Sequence, residues 1–369
     1  MKRRDFLVYG GGLVALGGLP ACSDRRGEPA PDLTAGAERL PGDFSVWSWV
    51  HGDRDYDEAG WRERFSRLKG AGVGAVLVGG GDVGLVADAA HAEGLEYHRW
   101  FWTMNRTGDP WAQENHPEWF TISRNGESSL DVPPYVGYYR WVCPTREPVR
   151  EYLRGLVDEL AADERVDGVH LDYVRHCDVI LPRGLWDTYD LVQDVEHPEF
   201  DFCYCEVCRD AFGAQTGRDP LTMDDPTSDD AWRRFRWDSV TEAVRGLADT
   251  VHARGKPITA AVFPTPDIAR TLVRQSWDEW PLDRFFPMLY NGFYLEDIPW
   301  IGRGVREGVA ALAGSDRSLN AGLYLPDLTP GELAEAVRTA REAGAAGVSF
   351  FESEGLSDEH LAALRGVLG

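Results

Sequence analysis

From residue 44 onward, short runs rich in Val, Ile, Phe, Tyr and Trp alternate with longer amphipathic stretches, and this alternation persists to the end of the chain. It is the feature that most restricts the fold. A strand followed by a helix and then another strand brings the second strand back parallel to the first, because the helix serves as the crossover. Eight strand-like runs are predicted, at 44–52, 74–80, 96–105, 167–173, 258–264, 285–291, 318–325 and 346–352. Several of the intervening helical stretches, such as EPVREYLRGLVDELAAD and TPGELAEAVRTAREAG, carry apolar residues at helical spacing, and several end in Gly just before the next strand, as helix C-caps do. Eight β-α units imply an α/β chain closed as a (β/α)8 TIM barrel. Long inserts follow the third strand, at about 106–146, and the fourth, at about 174–230. Loops at these strand ends lie on the face where barrel enzymes keep their active sites.

The first 42 residues read differently. Lys2, Arg3 and Arg4 precede Phe6-Leu7, an apolar Gly-rich run extends to Leu19, and Leu19-Pro20-Ala21-Cys22 follows. That run is shorter than the roughly 18 apolar residues a spanning helix needs. Residues 1–22 therefore read as an export signal of twin-arginine type ending in a lipobox, with Cys22 carrying the lipid. The alternative is ordinary cleavage near Ala21 with Cys22 unmodified. Residues 23–42, SDRRGEPAPDLTAGAERLPG, are poor in aromatics and rich in Pro, Gly and charge, which reads as a flexible tether. Residues 43–369 would form the barrel, one large domain at the cell envelope, touching the membrane only through its anchor. A net charge of −23 argues against nucleic acid and anionic membrane surfaces as partners. Fourteen Trp residues suit a sugar ligand, because saccharides present apolar C–H faces to aromatic rings.

Cys203, Cys205 and Cys208 form a C-x-C-x-x-C cluster in a chain with only six cysteines. Three thiols so close together suit one tetrahedral metal, and a closed zinc site needs a fourth ligand. Cys143 is the first choice, just before a helical stretch that leads into the fourth strand, and Cys177 is the rival. Disulfides and an iron–sulfur or redox role are the other readings.

The sharpest chemical signal is DGVHLDYVRH, in the fourth strand run. Val169 and Leu171 share one parity, suited to packing under helices, while Gly168, His170 and Asp172 share the other and should face the barrel lumen. Asp172 falls at the catalytic end, with Arg175 close by in sequence. Such a carboxylate suits a nucleophile, a base or a group that stabilises an oxocarbenium-like centre. Asp172 tied structurally to Arg175 or to loop amides is the competing reading. A glycosidase normally needs a second carboxyl group. Glu352 and Glu354 follow the last strand. Parity puts Ser349 and Phe351 inward and Glu352 outward, so Glu352 needs a bulge or a twist to reach the site. Asp109 and Glu114, in the insert after the third strand, are further candidates.

A substrate wall is predicted from shared parity. Trp47, Trp49 and His51 form one row, and His98, Trp100 and Trp102 another with Asn105 beyond it. Tyr290 shares parity with Met288 on the sixth strand run, with Asn291 at the rim. His170 and Arg175 complete the set of candidate substrate-binding residues.

DGVHLDYVRH and RQSWDEWPLDRFFPMLYN together resemble the bacterial glycosyl-hydrolase-like (family 10-like) TIM-barrel lipoproteins over most of the body. The fourth strand also looks like that of the α-amylase-type family 13 glycosidases, whose nucleophile matches Asp172, although His170 stands where that family has Arg. Met288 and Tyr290 resemble a family 18 motif, but the acid of that family would fall at Val174, so its mechanism does not carry over. The cysteine loop resembles that of the zinc-containing family 42 β-galactosidases, and the resemblance implies zinc held by Cys143, Cys203, Cys205 and Cys208. The Asn-Glu pair of that family is missing from the fourth strand, so the zinc site carries over and the galactosidase activity does not. Two functions follow as expectations: a glycoside hydrolase acting on an oligosaccharide or polysaccharide, or a catalytically inactive surface lipoprotein that binds glycans.

Overall fold

In the computed structural model, which describes residues 44–369, eight parallel strands close in sequence order into a barrel. The strands are β1 (Ser45–His51), β2 (Ala75–Gly79), β3 (Glu96–Trp102), β4 (Gly168–Asp172), β5 (Ile258–Val262), β6 (Arg284–Pro287), β7 (Ser318–Tyr324) and β8 (Gly347–Phe351). Closure is made by β8 pairing with β1, with Trp47 opposite Ser349. The helices are α1 (Glu58–Gly70), α2 (Val83–Ala92), α3 (Pro110–Asn115), α4 (Glu147–Ala162), α5 (Glu206–Thr216), α6 (Asp230–Ala253), α7 (Pro266–Val273), α8 (Ile298–Ala311), α9 (Pro330–Glu342) and α10 (Asp358–Leu368). This is the (β/α)8 barrel expected from the alternation. The export signal, the tether and Cys22 lie outside the described residues.

Local chemistry explains where the helices begin. Side chains of Asp57, Asp82, Asp229 and Asp297 accept backbone N–H groups at the starts of α1, α2, α6 and α8. Thr329 and Glu332 form a reciprocal capping box on α9. Each helix then buries one stripe. On α4 that stripe is Val149, Leu153, Val157 and Ala161, a spacing of four that places them one above another facing the sheet. Val169 and Leu171 of β4 belong to the same core layer. Truncating a buried residue such as Leu153 to Ala would cost about 2–5 kcal/mol.

Inside the barrel a separate cluster of Trp47, Trp49, Ala75, Leu77, Trp100, Ala261 and Phe286 fills the lumen. Both aromatic rows thus point inward. Trp47 meets His98 at 4.6 Å between ring centres, and His170 sits edge-on between Trp49 and Phe286 at 5.4 and 5.1 Å. The sixth strand is shorter than expected. It ends at Pro287, and residues 291–294 form a short 3-10 helix, so Tyr290 and Asn291 belong to a turn and not to a strand row. A Pro inside the predicted run leaves no N–H for the ladder, which is the physical reason for the early end.

The two long inserts fasten to each other. Ser123 pairs with Phe202 in an antiparallel bridge, the Tyr204 N–H donates to the Ile122 carbonyl, and the Arg124 N–H donates to the Asp201 carbonyl. Beneath them Asp201 is fully buried and pairs with Arg236 of α6, and Arg274, just past α7, pairs with Glu196. The Tyr204 hydroxyl donates to Asp201 at 2.6 Å and accepts from Trp232 Nε1 at 3.1 Å. Charges this deep persist only when paired and hydrogen-bonded, so this network anchors the second insert to two helices of the barrel.

Candidate active site

The C-terminal mouth of the barrel is centred on Asp172, the last residue of β4. Its Oδ2 accepts from Trp100 Nε1 at 3.0 Å and its Oδ1 from the backbone N–H of Tyr173 at 2.6 Å. Tyr173 turns the chain sharply with a φ of 48°, a left-handed conformation that disfavours bulky side chains. That turn aims the amide back at the carboxylate. Burial pushes the Asp172 carboxyl above its ordinary value, and the two donors and the more distant Arg175 offset this only in part. Trp100 occupies its place because Gly79, opposite on β2, has no side chain; a Cβ there would stand 2.6 Å from the indole.

A second carboxyl group enters from the opposite wall. Beyond Phe351 the peptide to Glu352 is cis, and the Glu352 carboxylate meets His51 Nε2 of β1 at 2.5 Å. Burial alone would raise Glu352, but the bonded His51 reverses this and holds it below the ordinary carboxylate value. Burial likewise opposes protonation of His51, yet the facing Glu352 outweighs it and raises the imidazole. Trp100 connects the two halves, bonded to Asp172 on one side and 5.4 Å from the His51 ring on the other.

Aromatic rings surround these groups. Phe351 lies 6.1 Å from Trp100, 6.4 Å from Tyr290 and 6.3 Å from Tyr324, and Trp102 packs on Tyr173 at 4.8 Å. Burial, with the nearby charge of Asp172, keeps the Tyr290 hydroxyl protonated. A third carboxyl, Asp327, follows β7 and is raised by desolvation. It fits against the next loop because residue 292 is Gly: a Cβ there would lie 2.4 Å from Asp327 Oδ2.

Several predicted site residues stand elsewhere. Trp49 is 1% exposed and His170 fully buried, one layer below the mouth, because Trp100 and Phe351 cover the lumen above them. His170 donates to or accepts from Thr259 Oγ1 at 2.8 Å, and burial holds it neutral. Arg175 turns away from Asp172: it bonds Asp178 at 2.9 Å and lies over Trp141, Tyr173 and Phe263, so Asp172 is not held by an Arg175 ion pair. Asn105 is buried and bonds its own loop at Thr107. Tyr290 is only 7% exposed, and Asn291 ties its amide to the Glu296 carbonyl. Glu354 is paired with Arg64 at 2.8 Å. Asp109 is fully engaged by Arg106, Tyr152 and the Ala112 N–H, and these bonds lower it despite burial, so it has no proton to give. The residues that come together at the mouth are Asp172, Trp100, Trp102, His51 and Glu352. Tyr173 and Tyr324 were missed, although Tyr173 directly follows Asp172.

Away from the mouth, Cys143, Cys203, Cys205 and Cys208 are buried with all four Sγ atoms within 4.8 Å of one another. Cys143 Sγ lies 3.4 Å from Cys208 Sγ and 3.8 Å from Cys205 Sγ. A disulfide would bring two sulfurs to about 2.05 Å, whereas four thiolates about 2.3 Å from one zinc would stand roughly 3.8 Å apart. The donor set thus fits a tetrahedral soft-metal centre. Cys177 is buried outside this group.

No protein-family model matches the sequence, and no curated protein is a significant match. Solved structures share the fold. The glycoside hydrolase domain of PgaB (BpsB) from Bordetella bronchiseptica superposes with a TM-score of 0.62 at 13% identity, over 89% of this chain and 99% of that one. The catalytic domain of a β-amylase from Paenibacillus polymyxa gives 0.61 at 10% identity, over 89% and 98%. A β-galactosidase from the psychrophilic Marinomonas ef1 gives 0.60 at 12% identity, over 88% of this chain and 59% of that one. Likeness at these identities is a likeness of fold alone.

Proposed function

We propose that this barrel hydrolyses glycosidic bonds of an oligo- or polysaccharide, with Asp172 and Glu352 as its two carboxyl groups. One observation carries the reading: two carboxyls face the same aromatic mouth in environments that drive their proton affinities apart. Such a pair divides into acid and base roles. Burial raises the proton affinity of Asp172, which would protonate the leaving glycosidic oxygen. Glu352, held ionised beside His51, would stabilise the oxocarbenium-like centre or attack it. Trp102, Tyr324 and Phe351 would hold the sugar faces, and Trp100 positions Asp172. The glycosidases of the same fold support the substrate class.

The engagement of Glu352 by His51 favours a second reading, an inactive glycan-binding barrel. Product detection on a panel of oligosaccharides, comparing the full chain with Asp172→Asn, separates the two. Turnover abolished by the substitution supports the hydrolase. Saturable glycan binding without turnover, unchanged by the substitution, supports the binding protein.

The four thiols are proposed to hold one structural zinc. When bound, the ion would have its coordination shell closed by four thiolates and would supply folding free energy, not catalysis. Cys143 comes from the first insert and the other three from the second, so the centre would lock the two inserts beside the mouth. Export and lipidation at Cys22 are proposed from the amino-terminal sequence, and mass spectrometry of the mature amino terminus tests them.

A further inference from the structure

On the outer flank of the insert after β3, α3 carries Trp111, 49% exposed. Its ring is stacked on Tyr152 of α4 at 5.1 Å and 28° and lies 5.0 Å from His116, which is itself stacked on Trp119 at 3.9 Å and 7°. The four rings form a rigid platform whose outer face is open. An aromatic face ordered before binding loses little side-chain entropy when a ligand arrives.

The platform is tied to the mouth by direct hydrogen bonds. Arg106 donates to the Trp102 carbonyl at 2.7 Å and to Asp109 Oδ2 at 2.7 Å, and the same Asp109 oxygen accepts from the Tyr152 hydroxyl at 2.6 Å. Asp109 Oδ1 caps the start of α3 through the Ala112 N–H. The exposed ring is therefore built into the scaffold that carries the mouth aromatic Trp102, and it is not an isolated surface side chain. Its rim is acidic. Residues 107–119 contain no Lys or Arg, while Glu114 and Glu118 are exposed there. Carboxylates of this kind accept sugar hydroxyls and repel acidic polymers.

We propose that Trp111 is a saccharide-stacking subsite outside the mouth, and that the substrate is an uncharged polysaccharide long enough to lie on it. The proposal rests on the glycan reading of the mouth and adds the length and charge class of the substrate. Apolar sugar faces stack on Trp111 while hydroxyls reach Glu114 and Glu118.

The test is affinity electrophoresis of the full chain through gels containing hydroxyethyl cellulose, xyloglucan or galactomannan, each alone, with alginate as the acidic control. In parallel, rates are measured on trisaccharides of the same linkages. Wild type is expected to be retarded by at least one uncharged polymer and not by alginate. Trp111→Ala should weaken that retardation about tenfold, the effect of removing one stacked ring. Trp111→Phe should recover part of it, and both variants should leave trisaccharide rates unchanged. Equal retardation of wild type and Trp111→Ala overturns the proposal, as does an equal loss on trisaccharides, which would place Trp111 at the mouth. Retardation by none of the polymers also overturns it, and trisaccharide cleavage in that case leaves the mouth reading standing.

Discussion

Replacing Asp172 with Asn preserves the shape of the side chain and removes both its charge and its proton. In the wild type the two carboxylate oxygens accept separate N–H groups, from Trp100 and Tyr173. A carboxamide has one acceptor oxygen, so one donor is left facing an NH2 group, at a cost of about 1–3 kcal/mol. The buried charge disappears at the same time. Because burial raises the folded Asp172 above its ordinary value of 3.8, its protonation contributes stability that is fully present below the unfolded value and is lost as pH rises through the folded one. The variant lacks this dependence. Wild type should thus lead Asp172→Asn in unfolding temperature at pH 4, and the lead should shrink or reverse by pH 8. Activity should move in one direction only. A missing general acid lowers kcat about 10²–10⁴-fold on natural glycosides, whereas nitrophenyl glycosides, whose leaving group needs no proton, should lose far less. Calorimetry at the two pH values and paired kinetics on both substrate types check the reasoning. Equal loss on both substrates would refute the acid role in favour of a nucleophile, and full turnover in the variant would remove Asp172 from the chemistry altogether.

Three other outcomes are expected. Metal analysis of the full chain should find about one zinc per molecule, lost in Cys205→Ser together with cooperative unfolding of the inserts; metal-free protein of undiminished stability would end the zinc proposal. Asp201→Asn leaves Arg236 buried without its counter-ion, which should lower stability by about 3–5 kcal/mol in denaturant titration; a change below 1 kcal/mol would mean that Arg274 and Glu196 hold the insert unaided. The His51 ring should titrate by NMR with a midpoint above 6.5, because Glu352 favours its charged form. The pair's stabilisation is accordingly full between 4.5 and 6.5, lost as pH rises through the His51 midpoint and lost as pH falls through that of Glu352, and Glu352→Gln should bring the His51 midpoint down.

The barrel was legible in the chain because strand and helix periodicity are local properties. Val169 and Leu171 alternate with His170 and Asp172 within five residues, and that alternation alone tells the lumen from the helix layer. The same holds for the inward rows of β1 and β3. The cysteines at 203, 205 and 208 announced a shared cluster by spacing, whereas Cys143, some sixty residues earlier in the chain, was preferred to Cys177 for its place before the fourth strand and then by resemblance, and is brought to the others by the packing of the two inserts.

What happens beyond the ends of the strands was decided by the tertiary structure. Arg175 lies three residues from Asp172 in sequence yet bonds Asp178, because the loop folds its guanidinium over Trp141 and Phe263. Parity placed Glu352 outside, but the chain leaves strand geometry after Phe351, and the carboxylate finds His51 only because β8 closes against β1. Trp49 and His170 share the right rows but lie a layer too deep, since the sequence marks which face a side chain takes and not how far up the barrel the next ring covers it. Periodicity is written within a few residues of each position. The partners of a carboxylate at a strand end come from across the barrel, and they meet it only after the whole sheet has closed.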